Sequence, residues 1–346
     1  MPATEHLERS NELVIRNIVI CALMYTTAGY CQILKNDQEH ELVVQGIHFT
    51  LEQQYDSAAA SFRTVMDTFP KRPTGYLYLA GLLQARYSDY GDYFNEQKYD
   101  SLLLTASVLS DSLKVQPGGK AWGYYYEGTA DAFRSYTSSE SGNVPAAFYY
   151  GLRAAKSMEK CIEIDSTFVA AKNVLGSYYY WRSKFSWIPF VSDRRDEGIR
   201  FIMETLHHPY ERHLAYQNLM LILIDEKKYQ EAENYGLEIL KEYPENRSFL
   251  WNMMTAYEQS GDKVKTEEIV RRLLTSTMNA PIINRYSEAT CRLKLARFAA
   301  ERKDTVAAVR ECRKILSLQH YKNTVKGDLS GKLQKAGDLL ASLTKK

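Results

Sequence analysis

The stretch that decides the fold is GIHFTLEQQYDSAAASFRTVMDTFP, residues 46–70. Its key residues, in order, are Gly46, Tyr55, Ala58, Phe62 and Pro70. The stretch YQEAENYGLEILKEYP, residues 229–244, repeats the second half of this order. Small residues let two helices approach closely, large apolar residues fill the remaining space, and proline ends a helix because it has no N–H to donate. The order therefore predicts pairs of packed helices.

Further copies of this order follow one another along most of the chain. The clearest are residues 39–72, 213–246 and 247–280; a degenerate copy spans about 285–319; and three stretched copies are 73–117, 118–166 and 167–210. With its period of about 34 residues, the pattern resembles the tetratricopeptide repeat, in its bacterial type. The resemblance implies an all-α solenoid of about seven helical hairpins. We expect the solenoid over residues 39–320 and a polar-faced capping helix over 324–346.

The resemblance implies a scaffold that binds a protein, a peptide or a small ligand, and it does not imply catalysis. In this family the first helix of each hairpin lines a concave groove. Transferring the groove positions gives Tyr78, Arg86, Trp122, Tyr125, Phe133, Asn173, Tyr180, Trp181, Gln217, Trp251 and Arg297. Aromatic anchors beside amide and guanidinium donors suit the recognition of an extended peptide. The alternative is a tightly curled superhelix in which these rings pack on one another.

The segment SKFSWIPFVSDRR, residues 183–195, replaces a tight turn in the fourth hairpin. A segment this apolar is usually either packed against the protein or used to contact a partner. We expect it to fold back onto the solenoid as a plug. The other interpretation is a contact site for a partner, with Phe185, Trp187 and Phe190 as the contact residues.

Residues 1–30 depart from the repeat pattern. The stretch NIVICALMYTTAGYCQIL, residues 17–34, has no charge, and its apolar core has the length of a signal-peptide core. We therefore predict an exported or periplasmic protein, with possible membrane association through this segment. The alternative is a buried N-terminal helix in a cytoplasmic protein.

Catalytic signatures are weak. The segment QPGGKA, residues 116–121, lacks the Ser or Thr that a phosphate-binding loop has after its lysine. The segment ETLHHPYERH, residues 204–213, brings His207, His208 and His213 close together, as a divalent metal site would. A metal-dependent enzyme or accessory protein is therefore the alternative function. The preferred interpretation of these residues is a polar helix end, with no enzyme activity, no metal and no cofactor.

Composition adds two constraints. The chain is 45% hydrophobic, enough for a continuous core, and its formal net charge is only +2, so no global field favours nucleic acid. The 26 tyrosines suit helix packing and recognition surfaces equally well.

Cys291 and Cys312 lie on the two helices of one predicted hairpin, and the sequence leaves open whether they form a disulfide.

Overall fold

The computed structural model describes residues 33–322 and 327–344, which form fifteen α-helices and no strand. The first helices of the hairpins are α1 Asp37–Leu51, α3 Thr74–Tyr90, α5 Lys120–Glu140, α7 Ala171–Ser183, α9 Arg212–Asp225, α11 Arg247–Ser260 and α13 Arg285–Glu301. The second helices are α2 Tyr55–Thr68, α4 Glu96–Lys114, α6 Val144–Ile164, α8 Arg195–Glu204, α10 Tyr229–Glu242, α12 Lys263–Met278 and α14 Thr305–Leu316. Helix α15, Leu329–Thr344, follows them.

These helices confirm the predicted fold, an all-α solenoid of seven hairpins with a C-terminal cap. Each helix packs on the next one along the chain, and α15 packs on both α13 and α14. The cap buries Leu329 and Leu333 against Leu293 and Ile315, so the last hairpin does not expose its apolar side. The predicted export segment, residues 1–30, lies outside the described residues.

Local signals in the sequence set where the helices begin. Several helices start after an Asn or Asp whose side chain accepts the backbone N–H three residues later, which satisfies a donor that the helix itself leaves free. These residues are Asn36, Asn95, Asn143, Asn246, Asp262, Asn284 and Asp304. Helices α3 and α11 end at Gly91 and Gly261 in the left-handed conformation, which glycine adopts without strain.

The small residues of the repeat lie where two helices touch. A Cβ built on Gly46 would lie 2.3 Å from Cε1 of Phe62, the residue that the repeat pattern pairs with it. Between α7 and α8 the approach is closer to the backbone, because a Cβ on Gly176 would lie 2.5 Å from the carbonyl oxygen of Gly198. The spacing of the sequence motif therefore reflects direct helix contact.

The solenoid curls until its first hairpin meets its fifth and sixth. The backbone N–H of Leu34 donates to Tyr210 Oη at 3.1 Å, and Asn246 Nδ2 donates to the carbonyl oxygen of Leu51 at 2.8 Å. Further along, Arg247 Nε donates to Asp89 Oδ1 at 2.5 Å. These partners are separated by 158 to 195 residues in the chain. The superhelix is therefore closed by contacts between distant hairpins.

Among the helices of the described residues, none has the length and apolar character needed to cross a bilayer.

Substitution of Gly176 tests the close approach of α7 and α8. We expect Gly176→Ala to destabilise the fold by about 1–3 kcal/mol, because the new methyl group meets backbone that cannot move independently. Gly337→Ala in α15 is the matched control, since a Cβ there has no atom within 4 Å. It should stabilise the protein by about 0.5–1 kcal/mol through helix propensity. Chemical denaturation measures both, and an unchanged free energy of unfolding for Gly176→Ala would contradict the packing.

Candidate functional site

The predicted groove residues all lie on first helices of hairpins, the helices that line the inner face of the superhelix. Their exposure differs widely. Tyr125, Asn173 and Tyr180 are buried; Tyr78, Arg86, Trp122, Phe133, Gln217 and Trp251 are half-buried; Trp181 and Arg297 are exposed. Three of the eleven side chains are therefore removed from solvent, and the other eight keep at least partial exposure.

A buried carboxylate organises the centre of the inner face. Glu211, which directly precedes α9, accepts hydrogen bonds from Tyr125 Oη at 2.5 Å and from Asn173 Nδ2 at 2.8 Å. Asn218 Nδ2 in turn donates to Asn173 Oδ1 at 3.0 Å. Burial raises the pKa of the Glu211 carboxyl, although both donors oppose the shift. No sequence pattern indicates this role, because Glu211 lies in the segment 204–213, where only the histidines suggest a site.

The inner aromatic rings pack on one another. Trp122 and Tyr125 both contact the buried ring of Phe168, with centroids 4.9 and 5.2 Å away. The Tyr180 and Trp181 rings meet edge to face at 5.0 Å. This is the arrangement that the alternative interpretation of the sequence describes. Ligand binding by the inner residues stays a prediction.

The connection between α7 and α8 presents apolar side chains to solvent. We define the aromatic turn as Trp181, Phe185, Trp187, Ile188 and Phe190, and their exposed fractions are 43%, 49%, 78%, 38% and 102%. The expectation that this segment folds back as a plug is therefore wrong. Five large apolar side chains are thus at least 38% exposed at this one connection.

Local hydrogen bonds explain why the aromatic turn projects from the solenoid. The backbone N–H of Ile188 donates to the carbonyl oxygen of Phe185 at 2.9 Å, which makes a tight bend, and Phe190 has a φ of 70°. At the base, Arg194 N–H donates to Ser183 Oγ at 2.8 Å, and the Arg194 guanidinium lies 3.4 Å from the centroid of the Tyr179 ring. The base is fixed and the tip turns outward.

Charged residues surround the aromatic turn, and they are paired with one another. Lys184 pairs with Asp225 at 2.5 Å, and Arg194 pairs with Glu197 at 2.6 Å. Arg195 Nε donates to a carboxylate oxygen of Asp193 at 2.9 Å. The rim is polar, and the charges of these three basic side chains are compensated by acidic partners.

The histidine segment does not form a metal site. His207 is exposed, whereas His208 is buried and accepts the backbone N–H of Tyr210 at Nδ1, at 3.3 Å. Glu204 forms an ion pair with Lys172. Over residues 33–322 and 327–344, no group of three or more potential ligands is placed to hold a metal ion. The metal-dependent alternative therefore has no support from the geometry.

The described cysteines are free thiols. Cys161, Cys291 and Cys312 are all buried, and Cys291 and Cys312 are not bonded to each other. Burial raises the pKa of the Cys291 thiol to about 12, which keeps it protonated and unreactive at neutral pH.

The geometry is that of a tetratricopeptide-repeat-type solenoid, as the sequence pattern implied. No protein-family model matches the chain, and no curated protein matches it significantly. Among solved structures, it is similar to the C-terminal part of a tetratricopeptide-repeat protein from Cytophaga hutchinsonii, with 15% identity and a TM-score of 0.45 over 85% of this chain and 98% of that one. A tetratricopeptide-repeat protein from Parabacteroides merdae gives 14% identity and a TM-score of 0.39, over 87% and 100%. Such values carry no conclusion about function.

Acid should destabilise the protein through His208. Burial lowers the pKa of this imidazole from 6.5 to about 4. Between pH 6.5 and about 4, His208 is therefore protonated in the unfolded chain and neutral in the folded one. Stability is therefore lost as the pH falls from 6.5 to about 4, by up to about 3 kcal/mol. We expect His208→Gln to reduce the dependence of the unfolding free energy on pH over this range, and part of it to remain because burial also lowers the pKa of His213 to about 4.

The exposed His207 offers the matched control. His207→Gln should follow the wild-type curve, because this side chain is not buried. Parallel curves for wild type and His208→Gln would show that His208 is not held neutral in the folded protein.

Proposed function

We propose that the protein is a non-enzymatic scaffold that binds a partner protein through the aromatic turn. The observation that carries this proposal is the exposure of the Trp187 and Phe190 rings, 78% and 102%, at the tip of a turn whose base is fixed. Contacts that hold the base of the turn reduce the conformational entropy that is lost when the tip enters a groove, and burial of the two rings contributes to affinity.

The composition of this surface favours a protein over a lipid bilayer. Protein interfaces have an aromatic centre and a polar rim, and Trp is among the residues that contribute most to their affinity. An anionic membrane surface attracts unpaired basic side chains. Here Lys184 and Arg194 already pair with Asp225 and Glu197. The rim therefore suits a neutral, apolar groove on a protein.

The inner face is a weaker candidate for this function. Its central residues Tyr125, Asn173 and Tyr180 are 3%, 1% and 0% exposed. Binding at these residues would require the contacts between distant hairpins to open first. Trp181 is the one predicted groove residue that also belongs to the aromatic turn, and its 43% exposure makes it available in the closed form.

The location of the protein is part of the proposal. We infer export from residues 1–30, whose uncharged apolar stretch has the length of a signal-peptide core. The partner would then belong to the same exported compartment. The mass of the mature protein, purified from its source, measures whether this segment is removed.

Substitution of Trp187 tests the proposed interface. The tagged full chain is cross-linked in its source cells, the enriched partner is identified, and the dissociation constant is then measured with both proteins purified. We expect Trp187→Ala to weaken binding by about 2 kcal/mol or more, which is about 30-fold. The melting temperature should not change, because the ring is 78% exposed.

Tyr93→Ala is the matched control, since this aromatic residue is 76% exposed in the connection between α3 and α4. It should bind the partner as wild type does. Equal affinity of Trp187→Ala and wild type would overturn the proposal. So would sedimentation of the wild type with phosphatidylcholine vesicles that is lost in Trp187→Ala, because the surface would then bind lipid.

A further inference from the structure

Four basic side chains come together where α15 covers α13. Lys294 and Arg297 lie one helical turn apart on α13, and Lys332 and Lys335 lie one turn apart on α15. The two helices pack against each other. The Lys332 ammonium lies 5.2 Å from the centroid of the Tyr286 ring. We call these four basic residues the cationic end of the solenoid.

The other three basic residues act on the Lys332 ammonium. Burial lowers the pKa of the Lys332 ammonium, and the positive charges of Lys294, Lys335 and Arg297 lower it further. Like charges at this spacing destabilise a helix when no anion compensates them.

Acidic neighbours compensate only part of this charge. Lys294 forms an ion pair with Glu258 at the end of α11. Asp328 favours the charged form of Lys332, but its effect is smaller than that of the three basic neighbours. Asp328 is also engaged by the backbone, because its Oδ1 accepts the N–H of Gly331 at 2.7 Å. Asp338, one helical turn after Lys335 on α15, is a third acidic neighbour, so the four basic residues exceed these three carboxylates by one positive charge.

The cationic end is open to solvent. Arg297 and Lys335 are exposed, and Lys294 and Lys332 are half-buried. The contacts that close the superhelix reach as far as Asn284, whose Nδ2 donates to the carbonyl oxygen of Asp89 at 2.8 Å just before α13 begins. The residues of α13 and α15 that carry the charges come after this point. A ligand can reach them without opening the superhelix.

We propose that the cationic end is a second binding surface, and that it takes an acidic segment of a protein, a stretch with several Asp or Glu side chains. Carboxylates spaced along a peptide can pair with ammonium and guanidinium groups that are spread over two helices. Single-stranded nucleic acid needs, in addition, free aromatic rings for base stacking. The ring at this site, Tyr286, is already contacted by Lys332. The formal net charge of +2 also gives no long-range attraction to a polyanion.

The test measures binding of a fluorescently labelled octaglutamate peptide to the full chain by anisotropy at low ionic strength. Wild type should bind, with an affinity that falls as salt is added. The double variant Arg297→Gln/Lys335→Gln should bind about tenfold more weakly or worse, because two exposed charges of the site are lost. Its melting temperature should equal or exceed that of wild type, because the substitution relieves repulsion.

The control is Lys241→Gln/Arg313→Gln, which removes the same charge from exposed positions on α10 and α14. It should bind as wild type does. Absence of binding by wild type would overturn the proposal, and so would equal losses in the two double variants. A labelled octauridine that binds more tightly than octaglutamate, and depends on the same two residues, would assign the surface to nucleic acid instead.

Discussion

Arg247 and Asp89 lie 158 residues apart in the chain and form a buried ion pair that closes the superhelix. Such a pair costs free energy unless its remaining polar atoms are also satisfied. Here Tyr55 Oη donates to Asp89 Oδ2 at 2.8 Å, and Arg247 Nη1 donates to the carbonyl oxygen of Ser276 at 3.2 Å. The pair therefore joins four helices, α2, α3, α11 and α12, from three hairpins. The rest of the architecture depends on this closure.

Packing within the stack decides what the inner side chains do. Tyr125 and Asn173, from the third and fourth hairpins, donate to the buried Glu211 at the start of the fifth. The same residue types that recognise a peptide backbone can satisfy a buried carboxylate, and this packing decides between the two roles. The two surfaces that we propose for partners, the aromatic turn and the cationic end, are surfaces that closure does not cover.

Part of this could be predicted from the sequence. The spacing of Gly46 and Phe62 reflects a contact within one hairpin, so a local pattern was enough to predict the helices and their pairing. Closure depends on the small rotation between each hairpin and the next, added up over seven hairpins, several of them stretched. A local sequence pattern does not determine this total rotation. The inner rings could therefore not be divided into groove and core residues beforehand.

The two proposed surfaces show the same limit in different ways. The apolar character of the aromatic turn was evident, but its direction depends on the Ser183 anchor and the bend at Ile188, which hydrophobicity does not reveal. The cationic end joins residues of α13 with residues of α15, which only the packing of the cap brings together. Charge patterning along the chain could not detect it.

The most direct test of the closed superhelix is a double-mutant cycle on Asp89 and Arg247, measured by chemical denaturation. Each single substitution to Ala leaves a buried charge without its partner, and we expect a loss of about 3–5 kcal/mol for either one. The double substitution should cost much less than the sum, with a coupling energy of about 2 kcal/mol or more. Additive losses, with a coupling energy below about 0.5 kcal/mol, would show that the two residues do not meet in solution and that the superhelix is open.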